Sequence, residues 1–154
     1  MNFDQLTDKD IDDLIKLPKR ISNPSARWQE KPGHKQRNFN IVAENHSFTV
    51  YQRQNLFDDK DFSCGLKVIK PDGQPLTLLR YNGGGHIHGD IQFACHIHSA
   101  TEKAILAGRK PESHAEATAL YRTLEGALAC LLEDARIRGL SNVKKDEPDL
   151  FESE

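Results

Sequence analysis

The chain has 154 residues, 37% of them hydrophobic, and a formal net charge of −2. That length suits one domain with a core of its own and is short for two. No run of eighteen apolar residues is present, so no membrane span is expected.

The charge is uneven. Residues 1–16 hold five acids against two lysines, and residues 141–154 do the same. Between them, residues 18–37 carry Lys19, Arg20, Arg27, Lys31, Lys35 and Arg37 against Glu30 alone. The opening MNFDQLTDKDIDDL has no basic stretch followed by an apolar one and is not expected to act as a secretion signal. Cys64, Cys95 and Cys130 are odd in number and far apart, with no CxxC pair and no disulfide framework. This favours a reducing cytoplasm, with the thiols acting as small buried hydrophobes.

In chain order, Thr7 is a fitting N-cap for a short helix from about Asp8 to Leu17. Ile11, Leu14 and Ile15 form its apolar face and Pro18 ends it. Pro18 to Asn38 contains three prolines and no periodicity, and reads as a basic loop. Phe39 to Ala43 and His46 to Arg53 alternate as the strands of a hairpin. Leu56 to Asp61 is turn-like. Ser63 to Lys70 is a strand with Cys64, Leu66 and Val68 on one face, and Pro71-Asp72-Gly73 turns it into a partner strand, Leu76 to Tyr81. Asn82-Gly83-Gly84-Gly85 breaks the pattern, as a flexible turn, a β-bulge or a phosphate cradle.

Asp90 to His98 alternates again, with Ile91, Phe93, Cys95 and Ile97 as the apolar face and Gln92, Ala94, His96 and His98 opposite. Pro111 opens a long helix, about Ser113 to Ile137, whose stripe is Leu120, Leu124, Ala127, Leu128, Leu131 and Ala135, with Gly139 just beyond it. The expected fold is α+β: an antiparallel sheet of about five strands with a short N-terminal and a long C-terminal helix packed on it. Residues 1–140 make one domain, and 141–154 an acidic, disordered tail.

The chemistry concentrates in HIHGDIQFACHIH, residues 86–98, which hold four of the seven histidines as two His-Ile-His triplets. On a strand, positions i and i+2 share a face, so each triplet offers two imidazoles side by side. Three readings stand. His86, His88, His96 and His98 could bind a divalent metal such as zinc, with Glu102 or Asp90. One imidazole could move a proton while another, or Arg80, meets developing charge. Or the rings are polar residues on a solvated face. The basic segment, with Trp28 in it, can grip phosphates and stack on a base, through Arg20, Arg27, Trp28, Lys31, Lys35 and Arg37; it can equally be a solvated loop. His96-x-His98-x3-Glu102-x5-Gly108 nears a cupin metal motif, but the second cupin half is missing. Arg109-x4-His114 fits the helical HEPN ribonuclease pattern, on a chain too rich in strands for that fold.

LTDKDIDDLIKLPKRI, LLRYNGGGHIHGD, HIHSATE and a closing helix ending in Arg-Ile together resemble a family of small uncharacterised bacterial and phage-borne proteins. The RYN-Gly…HIH arrangement also resembles TumE-type toxins of toxin-antitoxin systems, in which an Arg-Tyr-Asp-Asn stretch leads to closely spaced histidines. Here His88 is additional, and Gly83 follows Asn82 where the toxin-like stretch has its Asp. The resemblance implies a site at Arg80, His86, His96, His98 and Glu102, an RNA substrate and an antitoxin or other protein partner. The chemistry expected from it is phosphodiester cleavage, with His96 or His98 as general acid or base and Arg80 on the phosphorane. The alternative is a non-catalytic metal-binding or partner-binding protein built on His86, His88, His96, His98 and Glu102.

Overall fold

Alternation of buried and exposed residues organises the chain into one large sheet. The computed structural model describes residues 1–85 and 94–147. Among them the element order is α1 (Asp8–Lys16), β1 (Lys19–Ile21), β2 (Gln29–Lys31), β3 (His34–Ala43), β4 (His46–Asn55), β5 (Phe62–Ile69), β6 (Pro75–Asn82), β7 (Cys95–Ser99), α2 (Glu102–Leu106), β8 (His114–Thr118), α3 (Leu124–Asp134) and β9 (Ile137–Arg138). The strands form a nine-stranded sheet in the order β8-β7-β6-β5-β4-β3-β1-β9, with β2 beside β3. Every pairing is antiparallel except β1 with β9. The α+β class stands, with about nine strands rather than five.

One face of the sheet carries the core. Phe39, Val50, Leu66 and Leu79 lie opposite one another across β3–β6 and are buried. Helix α3 lies across β4, β5 and β6 and closes this face with Leu124, Ala127, Leu128 and Leu131. Ile11 and Leu14 of α1 enter the same core. That short helix forms because Thr7 and Asp10 make a reciprocal capping box, and Lys9–Asp13 and Lys16–Asp12 pairs run along its outside.

Three expectations fail for physical reasons. The segment 18–38 is not a loop: β1, β2 and the first half of β3 lie in it, their polar residues placed by pairing rather than by apolar periodicity. The helix expected over 113–137 is β8 followed by a shorter α3. Ala115, Glu116 and Ala117 are good helix formers, but pairing with β7 overrides that propensity, and Leu120, read as part of the stripe, is 65% exposed. The helix starts where Thr123 caps Gly126, and the Asp146 carboxylate accepts from the Arg122 and Thr123 backbone N–H groups. Asp146 thus fastens residues 141–147, expected as part of a disordered tail, to the start of α3; a Cβ on Gly126 would overlap its carboxylate.

Lys19 is a further correction to the basic segment. Its side chain is 2% exposed, and its Nζ donates to the carbonyls of Ile15 (2.6 Å), Leu17 (2.8 Å) and Ala135 (2.9 Å). It binds the C-terminal ends of α1 and α3, where the helix dipoles are negative, and offers nothing to a phosphate. Burial first, and then the Arg136 guanidinium, pull its ammonium down to about 8.

Two predictions follow from this packing. Leu128 is 2% exposed, so Leu128→Asp places a charge in the core and should unfold the domain, at a cost of several kcal/mol; an unchanged melting temperature would contradict this. Between about pH 8 and the ordinary lysine value of about 10.5, the unfolded chain holds more protons at Lys19 than the folded one, so stability from this group rises with pH. The stability of the wild type relative to Lys19→Met should therefore grow from pH 7.5 to 9.5, by up to about 1.4 kcal/mol per pH unit in the window. Denaturant titrations of both proteins measure this, and a difference that stays flat or shrinks would contradict it.

Candidate active site

The register of β6 on β7 places Arg80 opposite His98 and Asn82 opposite His96. Directly opposed residues of an antiparallel pair share a face. The two rows continue across β5 and β4 as Gly65 and Tyr51, and as Ser63 and Arg53. The intervening positions, Tyr81, Ile97, Cys64 and Gln52, point to the other side, where the Tyr81 hydroxyl donates to Asp134 of α3. The polar cluster therefore occupies the face away from α3.

His96 and His98 share a face of a strand, as the alternation predicts, but that face is not solvated. His96 is 0% and His98 6% exposed, whereas Cys95 and Ile97 are half-buried. Their burial is among polar partners. The two imidazole centroids lie 4.8 Å apart in an edge-to-face arrangement. His98 Nδ1 lies 3.1 Å from the Glu112 carbonyl oxygen, which can only accept, so Nδ1 carries the proton and the neutral ring keeps its lone pair on Nε2. Asn82 Nδ2 approaches His96 Nε2 at 3.4 Å, and His96 Nδ1 lies 3.4 Å from the Ala94 carbonyl. The Glu112 carboxylate is 3.5 Å from Arg80 Nη1 and almost fully buried. Among the described residues, Arg80 Nε and Asn82 Oδ1 are buried with no hydrogen-bond partner.

Gly65 gives the cluster its fourth side. A Cβ there would come within 2.6 Å of both the Leu79 carbonyl and the Tyr51 ring. Because the side chain is absent, Tyr51 lies across β5, with its hydroxyl 3.3 Å from Ser63 Oγ. Burial makes this phenol a weaker acid, raising its pKa, while the Ser63 contact and the Arg80 charge draw it back down. From behind the sheet, the Tyr121 hydroxyl is shared between the carbonyls of Asn82 (2.8 Å) and His96 (3.0 Å) and ties β6 to β7 beneath the site.

The remaining residues singled out in the sequence divide. His86, His88 and Asp90 lie outside the described residues. Glu102 opens α2, where its backbone N–H donates to Asp8, and no described interaction joins it to His96 or His98. Among the described residues no three His, Cys, Asp or Glu side chains come together as a metal set. The Gly83 and Gly85 N–H groups donate to the Phe62 and Lys60 carbonyls, so they do not form a phosphate cradle. Arg20, Arg27 and Lys31 are exposed. Arg37 sits on the α3 side of the sheet, opposite Gln52, with Lys35 and Trp28 beside it. Four strand spacings, roughly 19 Å, separate β3 from β7. Trp28, Lys35 and Arg37 therefore do not join the histidines.

Sequence reasoning missed Tyr51, Ser63 and Glu112, and treated Asn82 only as the start of a turn. Gly65, in a strand interior, was the signal for the first two, since glycine there marks close approach by another group. Nothing in the sequence marked Glu112, which follows Pro111 as an acidic first-turn residue of a helix would. No protein-family model, no curated protein and no solved structure matches the chain.

Gly65→Ala should displace Tyr51 and strain β6 at Leu79, lowering stability by about 1–3 kcal/mol. Adding Tyr51→Ala should recover only part of the loss, because the Leu79 carbonyl remains in the way. Thermal melting checks both; full recovery in the double variant would show that the backbone contact is slack.

Proposed function

We propose that this protein cleaves RNA phosphodiesters by acid–base chemistry at the Arg80–His98 pair, in the manner of the TumE-type toxins its motifs resemble. The observation that carries the reading is the row Tyr51–Gly65–Arg80–His98, with Asn82, His96 and Glu112 against it, on the sheet face away from α3. His98, with its proton held on Nδ1 by the Glu112 carbonyl, has the Nε2 lone pair of a general base for a ribose 2′-hydroxyl. His96, 4.8 Å away, would act as the acid in its imidazolium form: with the Asn82 amide turned to present Oδ1, its Nε2 carries the proton that passes to the leaving 5′-oxygen. Arg80, its side chain 20% exposed, is the cation at the open edge, and its Nη1 would turn from Glu112 towards the non-bridging oxygens as negative charge grows.

The spread of the basic residues limits how substrate is held. Trp28, Lys35 and Arg37 face away from this cluster, so they do not hold the phosphodiester at the point of cleavage. Binding near the histidines falls to Arg80, Arg53 and Lys67, which share their face. An antitoxin or other partner protein and a cytoplasmic setting belong to the same proposal. Among the described residues no helix is long and apolar enough to cross a membrane.

The test is cleavage of a single-stranded oligoribonucleotide by protein purified without an affinity tag. Activity should persist in EDTA and follow a bell-shaped pH profile centred near the histidine range, about 6.5. His98→Gln should lower the rate at least about a hundredfold, the typical contribution of a positioned base, with melting still cooperative. The alternative, a non-catalytic metal-binding protein built on His86, His88, His96 and His98, predicts stoichiometric metal, lower stability on chelation and no cleavage. That combination would overturn the ribonuclease reading.

A further inference from the structure

A polar cavity lies on the side of the sheet opposite the histidine cluster, between β3, β4 and the start of α3. Its volume is about 460 Å³, within the range of small-molecule sites. Trp28, Lys35 and Arg37 line one wall, Gln52 and Gln54 the sheet floor, and Leu124 and Leu128 the apolar side; residues 140–143 close it. Lys35 Nζ lies 4.6 Å and the Arg37 guanidinium 4.5 Å from the centre of the Trp28 ring. Arg37 donates through Nε and Nη2 to the single Gln52 oxygen, at 2.9 and 2.6 Å, which fixes its plane at the cavity wall. Burial lowers the basicity of this guanidinium.

The charges here are unbalanced. Among the described residues neither Lys35 nor Arg37 has a carboxylate within salt-bridge distance. Glu125, the one acid in the lining, has Oε1 engaged by the Lys144 backbone N–H. Two cations against the single Glu125 carboxylate, an indole wall, an apolar side and the Ser141 hydroxyl and Asn142 amide at the margin suit a flat heteroaromatic ring that carries an anion.

We propose that this cavity binds a nucleoside monophosphate group, its base against Trp28 and Leu124 and its phosphate at Lys35 and Arg37. The group can arrive as a free nucleotide or as the phosphorylated end of an RNA chain; both present the same chemistry. The site is independent of the histidine cluster, which lies on the other face.

Trp28 is the only tryptophan in the chain, so its emission reports on this cavity alone. The full-length protein is titrated with adenosine 5′-monophosphate while Trp28 fluorescence is followed. Saturable quenching is expected, with adenosine and inorganic phosphate each at least about tenfold weaker, because each supplies half of the contacts. Lys35→Glu should weaken binding at least about tenfold, and Lys103→Glu, on the exposed side of α2, should leave it unchanged. In the His98→Gln background, a 5′-phosphorylated oligoribonucleotide that binds more tightly than the mononucleotide assigns the site to RNA ends; equal or weaker binding assigns it to free nucleotide. The proposal is overturned if the mononucleotide gives no saturable change, if inorganic phosphate binds as well as it does, or if Lys35→Glu binds normally while remaining folded. Cleavage activity does not enter these readouts, so failure of the ribonuclease reading and failure of this one are separable.

Discussion

The register between β6 and β7 is the constraint on which the rest of the structure depends. A slip of one residue would place Ile97 beside Arg80 on the polar face and turn both imidazoles towards α3. Several contacts hold the register from the core side. Tyr81 hydrogen-bonds to Asp134 and stacks on Tyr121, their rings 5.8 Å apart and 11° from parallel. Tyr121 spans the two strands by bonding carbonyls on each. On the other face, the imidazole of His98 holds the Glu112 carbonyl. A hydrogen bond of this kind nets only about 1 kcal/mol, but leaving a buried carbonyl without a partner costs more. Slippage would orphan several such groups together.

The sheet separates two kinds of chemistry by period alone. On β3 and β4, Arg37 and Gln52 face α3 together with Phe39 and Val50, whereas Tyr51 faces the other way. The cationic, Trp-bearing cavity and the histidine cluster are thus close in topology but never meet. The basic stretch of sequence is consequently not one functional unit. Lys19 joins two helix ends, Arg37 is fixed to Gln52, and Arg20, Arg27 and Lys31 face solvent. Similar charges in one run acquire different roles because alternate residues of a strand point to opposite sides.

Elements with strong local signals were legible in the sequence: α1 from Thr7 and its apolar spacing, the β5–β6 hairpin from Pro71-Asp72-Gly73, and the shared face of His96 and His98 from alternation. What the sequence hid depends on contacts distant along the chain. His114–Thr118 reads as helix because its propensity is local, while its pairing partner on β7 is not. The burial of His96 and His98 contradicts the simple rule that the polar side of an amphipathic strand is wet, because Glu112 and Asn82 satisfy ring nitrogens there. Glu112 itself was invisible, since only the fold brings residue 112 over residue 98. The resemblance to toxin motifs pointed to Arg80, His96 and His98, which lie together, to Glu102, which lies on another element, and to His86, which lies outside the described residues.

The most direct test of the central claim is the protonation pattern of the His98 ring, read from two-bond nitrogen–proton correlations in uniformly ¹⁵N-labelled protein. A built proton-transfer site requires the neutral ring to hold its hydrogen on Nδ1, donated to the Glu112 carbonyl, with Nε2 bearing the lone pair. Glu112→Ala should preserve that pattern, because the backbone carbonyl is the acceptor. A neutral His98 protonated on Nε2, or one averaging freely between the two forms as a solvated imidazole does, would contradict the assignment of His98 as a positioned base.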